Sequence, residues 1–91
     1  MSAPVTQADQ LIADMNTLRN MLGVRMDLPS SKWCYRNYFN AEAGHHSMPS
    51  LDRLELAGLI EHYRPGYYRA TWDGCRAIGL TEKQSKRAME L

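Results

Sequence analysis

The sequence predicts a mainly helical domain that carries one small β-hairpin, and three observations predict it. Apolar residues recur at helical intervals in the first quarter of the chain and again after Ser47, which is the spacing of a helix with one buried side. Arg64-Pro65-Gly66-Tyr67 fits a four-residue turn, in which proline presets the first central residue and glycine supplies positive φ at the second. Thr71 and Thr81 each precede a short helix-compatible run, where a hydroxyl can accept from the first free backbone N–H groups. Ninety-one residues are enough for one core and too few for two, so a single domain over 1–91 is expected, with 1–5 a flexible N-terminal stretch.

The first helix is expected over 7–22. Thr6 caps it, Asp9 sits in the first turn where the helix dipole favours an anion, and Leu11, Ile12, Met15, Leu18 and Leu22 form its apolar stripe. Gly23 ends it, and 24–30, which contains Pro29, is a connector. A second helix is expected over 32–40, capped by Ser31 and bearing Trp33, Tyr35, Tyr38 and Phe39, with the run 40–44 closing it. Ser47-Met48-Pro49 opens a third helix with Met48, Leu51 and Leu54 on one side and Gly58 at its exit. The hairpin follows at once, as strands over 59–63 and 67–71 with Leu59 and Ile60 anchored in the core. Thr71 then caps a helix through Ile78, closed by Gly79. The capping-box pair Thr81 and Gln84 starts a last helix over 82–91.

Composition narrows the function classes. Hydrophobic residues make up 44% and charged residues 23%, an ordinary globular balance. Eleven basic against ten acidic residues leave a net charge of +1, so binding to nucleic acid would require locally sorted charge. No apolar run approaches the roughly 20 residues that span a bilayer. The opening MSAPVTQADQ has neither a basic n-region nor an apolar h-region, so a cytoplasmic protein is expected. Cys34 and Cys75 are expected as buried free thiols.

The phrase LDRLELAGLIEHY…YYRATWDGCRAIGL resembles the winged helix-turn-helix pattern of bacterial regulators: a leucine-rich helix ending Gly-Leu-Ile, a hairpin wing, then a threonine-led helix. A narrower resemblance covers about residues 36–80. RNYFNAEAGHHSMPSLDRLELAGLI is similar to a group of small phage and prophage proteins with an Arg-Asn-His-Phe-like motif, a Gly-His-His turn and the same Leu-x-x-Leu and Gly-Leu phrasing. Tyr38 stands where that motif has histidine. This second resemblance implies an origin and not an activity.

Two binding functions follow. The winged-helix resemblance implies double-stranded DNA as partner, with the third helix in the major groove and the wing on the backbone. Lys32 and Arg36, Ser50 and Arg53, and Arg64 and Arg69 would then be the contacts on the second helix, the third helix and the wing. A helical wheel from Leu51 puts Asp52, Arg53 and Leu56 outward with Glu55 at their flank, which suits a polyanion poorly. The alternative is therefore a protein-interaction module for a phage or host protein, or a homodimer through the first or last helix. Leu56 would serve there with Tyr63, Tyr67 and Tyr68, unless the tyrosines of the hairpin's inner face pack on the core.

Other chemistry is not expected. His45, His46, His62, Cys34 and Cys75 are zinc-type donors, but no Cys-x-x-Cys pair brings them together, and the adjacent histidines read as a polar turn. No phosphate-binding glycine loop and no placed thiol–histidine pair occurs, so neither an enzyme nor a cofactor is anticipated. Lys83, Lys86 and Arg87 read as a solvated helix face, and Trp33 and Trp72 as core.

Overall fold

The computed structural model describes residues 7–42 and 44–91. Thr6, and with it the expected cap of the first helix, lies outside the described residues, as does the stretch 1–5. Four α-helices and a three-stranded antiparallel sheet are described, in the order α1 (Gln7–Leu22), β1 (Phe39–Asn40), α2 (Met48–Leu56), β2 (Ile60–Arg64), β3 (Tyr67–Ala70), α3 (Trp72–Ala77) and α4 (Glu82–Met89). No described helix is long and apolar enough to cross a membrane.

The C-terminal half of α1 is the centre of the core. Leu18, Met21 and Leu22 are fully buried against Leu51 and Leu54 of α2, Ile60 and Ala70 of the sheet, and Cys75 and Leu80. Each such leucine contributes about 1.5–3 kcal/mol by leaving water. The N-terminal half of the helix projects past this core. Leu11 and Ile12 are exposed, so the apolar stripe of α1 is buried only from Met15 onward.

The hairpin matches its sequence signal. Pro65 and Gly66 turn the chain between β2 and β3, and Gly66 has φ +79°. Ile60 pairs with Ala70, Glu61 with Arg69 and His62 with Tyr68, and an irregularity after His62 sets Arg64 opposite Tyr67. Thr71 accepts from the Gly74 N–H at 3.2 Å and donates to the Gly58 carbonyl at 2.7 Å, joining the end of α2 to the start of α3. The capping box of α4 is present: Thr81 Oγ1 accepts from the Gln84 N–H, and Gln84 Oε1 accepts from the Thr81 N–H. Ser47 holds the N-cap position of α2 without a side-chain cap; its N–H donates to His45 Nδ1.

The expected helix over 32–40 is absent. Ser30–Lys32 is one 3-10 turn, Cys34 takes φ +63°, and Phe39–Asn40 form a strand that makes the sheet order β1-β3-β2. Tertiary hydrogen bonds replace the helical ones along the segment. The Trp33 indole donates to the Arg25 carbonyl, Arg36 to the Asn20 carbonyl, and the Tyr38 N–H to the Met21 carbonyl. Asn37 acts as a surrogate strand partner, accepting from the Ala70 N–H at 2.8 Å while its amide donates to the carbonyls of Ala70 and Ala88. Aromatic residues and asparagine are weak helix formers, and aromatics fit a pleated surface, so the segment yields readily to these contacts. Trp72, expected in the core, is 41% exposed, whereas Trp33 packs against the core and Cys34 and Cys75 are buried and unpaired.

Candidate functional site

Strand alternation sorts the hairpin into two faces. Ile60, Tyr68 and Ala70 point into the core, and Tyr68 also stacks on His62 with ring centroids 4.3 Å apart. Glu61, Tyr63, Tyr67 and Arg69 fall on the outer face. The extended segment before β1 runs alongside and adds Tyr35, Arg36 and Tyr38. Together they enclose an open groove of about 510 Å³, lined by four tyrosines, three arginines, Asn37 and Leu91.

Each arginine of the groove has partners within the fold. The Arg64 guanidinium lies 4.0 Å from the Tyr67 ring centroid. Arg69 lies 5.3 Å from the Tyr63 centroid and donates to Glu61 Oε1 at 2.6 Å. Arg36 is fixed to the Asn20 carbonyl at 2.7 Å with its guanidinium over Tyr35. Three guanidinium groups thus edge the tyrosine rings, with Glu61 as the one acidic side chain paired among them.

Acidic side chains gather on the opposite side of the sheet. Asp52 and Glu55 are exposed on α2, and burial, followed by these two carboxylates, pushes the Tyr68 hydroxyl above its usual range. Arg53, which the helical wheel placed outward, keeps 37% of its side chain exposed but is not free. It grips Asp14 of α1 with two hydrogen bonds of 2.9 and 2.8 Å and donates a third to Ser50. Ser50 is buried, and Lys32 is exposed on the 3-10 turn away from the groove lining. Leu56 is 91% exposed on α2.

The groove therefore unites Arg36, Arg64, Tyr67 and Arg69 of the expected contacts and leaves out Lys32, Ser50, Arg53 and Leu56. Tyr35 and Tyr38 were not among the expected contacts, because a helix over 32–40 would have turned them elsewhere. The signal for them was the aromatic-rich Tyr35-Arg36-Asn37-Tyr38-Phe39, which suits a strand as well as a helix. Lys83 and Lys86 are exposed on α4, and Arg87 donates to the Ser31 carbonyl at 3.1 Å, so that basic face partly serves to dock the 3-10 turn. His45 and His46 stack on each other at 4.3 Å, and no cluster of three metal-type donors occurs among the described residues.

No protein family, curated protein or solved structure gives a significant match to this chain.

Proposed function

We propose that the protein binds nucleic acid through the outer face of its hairpin, as a small winged-helix-type accessory or regulatory factor of the phage kind that its sequence resembles. The observation that carries this reading is the sorting of charge. Arg36, Arg64 and Arg69 border a tyrosine-lined groove on one side of the sheet with Glu61 paired to Arg69, while Asp52 and Glu55 lie on the other, so a nearly neutral chain presents a surface there in which guanidinium groups outnumber carboxylates. Arginines neutralise phosphates and tyrosine rings stack on bases.

The winged-helix part of the reading is supported by three features: α2 runs directly into the hairpin, β1 lies beside β3 ahead of α2, and a threonine-capped α3 follows. It departs from a helix-turn-helix at 32–40, where the partner helix is replaced by extended chain. The hairpin and not α2 is accordingly the contact element. With Arg53 engaged by Asp14, α2 offers a duplex mainly carboxylates and Leu56.

Fluorescence anisotropy of labelled duplex and single-stranded DNA, titrated from low to physiological salt, tests the proposal. Affinity is expected to fall as salt rises, and Arg64→Ala and Arg69→Ala are each expected to make the slope of log K against log[salt] shallower by about 0.7–0.9. No binding of either probe at the lowest salt overturns the reading. A second reading, a protein interface on α2, rests on the exposure of Leu56 beside Asp52 and Glu55. It requires that Leu56→Asp abolish a protein contact and leave oligonucleotide binding unchanged.

A further inference from the structure

The groove has a shape as well as a charge, and we infer that its ligand is a single-stranded nucleic acid, held by stacking of unpaired bases on Tyr38 and Tyr63 with the adjoining phosphates on Arg64 and Arg69. This rests on the nucleic-acid reading above and names the state of the strand.

The first argument is access. Bases in a duplex are stacked inside it, and a protein reads their edges with an element that projects into a groove. The helix ahead of the hairpin, α2, presents Asp52, Glu55 and Leu56, and its one arginine is tied to Asp14. The sheet instead presents a concavity, between the 35–38 segment on one side and the hairpin on the other. A concavity lined by exposed rings suits an unpaired base better than the edge of a stacked pair.

The second argument is the exposure and arrangement of the rings. Tyr38 is 49% and Tyr63 40% exposed, although both lie beside packed structure. Tyr63 and Tyr67 have centroids 6.1 Å apart and planes tilted by 54°, which leaves no parallel slot between them, so a base stacks on an open ring face. Tyr67 has one face covered by Arg64. Tyr38 is the most exposed ring of the groove, and on the hairpin wall Tyr63 is the less closely covered ring, with Arg69 and Arg64 5.3 and 5.9 Å from its centroid.

The third argument concerns the phosphates. Arg69 and Arg64 lie 5.3 and 5.9 Å from the Tyr63 centroid, so a backbone that follows a base stacked on that ring passes both guanidinium groups, of which Arg69 is shared with Glu61. Asn37, the one carboxamide lining the groove, is fully engaged with the backbone of Ala70 and Ala88. The tyrosine hydroxyls and guanidinium groups of the lining can meet either sugar, so the groove supplies stacking and charge to a single strand of DNA or RNA alike.

The experiment compares a fluorescein-labelled oligo(dT) of about 12 nucleotides, within the footprint of small single-strand binders, with an oligo(rU) and a duplex of equal length. Oligo(dT) is expected to bind about tenfold or more tightly than the duplex. Loss of one stacked base in Tyr38→Ala or Tyr63→Ala is expected to weaken it by about tenfold. Tyr63→Phe, which keeps the ring, should bind as the wild type does, and unchanged thermal melting should accompany each variant. Duplex binding as tight as oligo(dT) overturns the inference and leaves the nucleic-acid reading standing. Oligo(rU) is expected to bind about as tightly as oligo(dT), and folded alanine variants with full affinity overturn the groove as the site. Failure of all three probes at low salt overturns both readings.

Discussion

Arg53 has the sequence position of a DNA-reading residue and the surroundings of a structural one. Its guanidinium closes on Asp14 in a two-bond fork that ties α2 to α1. Burial works against the ionised form of Asp14, but the hydrogen bonds from Arg53 and Ser50 and the charge of Arg53 outweigh it, and the carboxyl is held below its ordinary 3.8. A carboxyl lowered on folding stabilises the native state above its unfolded pKa, and that contribution is lost as pH falls through the folded value. Arg53→Met should therefore melt below the wild type at neutral pH, and the difference should narrow as the pH is taken below 3.8. A gap in melting temperature that persists unchanged in acid would contradict this role. The helical wheel could place Arg53 only by angle. Its long side chain reached a neighbouring helix that the wheel does not contain.

Among the elements, those with their own local punctuation were legible in the sequence. The end of α1 at Gly23, the Pro65-Gly66 turn and the caps at Thr71 and Thr81 are each set by residues within a few positions of the boundary they define. The segment 32–40 is different, because Asn37 finds Ala70 and Ala88, and Arg36 finds Asn20, only after the chain has folded. Local rules could not see those partners, and half the groove was hidden with them. A contrasting case is the seat of α3, which sequence marked with a glycine without saying why. A Cβ added at Gly74 would meet the Leu59 carbonyl oxygen at 2.0 Å, and Leu59 is backbone that also accepts from the Thr71 N–H. Gly74→Ala should therefore destabilise by about 1–3 kcal/mol or more, the range for overpacking, as measured by denaturant unfolding. Gly79→Ala in open space would be strained only by its φ of +85°.

For the whole molecule, charge separation and core architecture meet at one place. The extended segment that forms a wall of the groove also carries Cys34 into the core, at φ +63° and within electrostatic reach of Cys75. Burial raises the Cys34 thiol pKa, and burial followed by the neighbouring thiol pushes Cys75 up to about 11, so neither forms a thiolate readily at neutral pH.

The two cysteines nevertheless sit in regions that come together by different routes. The β2–β3 hairpin and the capped start of α3, where Cys75 lies, are built from neighbours in sequence. The two-residue β1 must find β3 across the whole of α2 and β2, so the wall is the non-local closing step. Tied down by tertiary bonds and not by a helical ladder or a long strand pairing, it is also the part from which partial opening is expected to begin. Under native conditions a thiol reagent should accordingly modify Cys34 ahead of Cys75, with mass spectrometry recording the order; simultaneous modification would mean that the domain opens only as a unit. The groove is thus half hairpin and half latch. A strand threading into it would select the closed latch, so ligand affinity and thiol protection should rise and fall together.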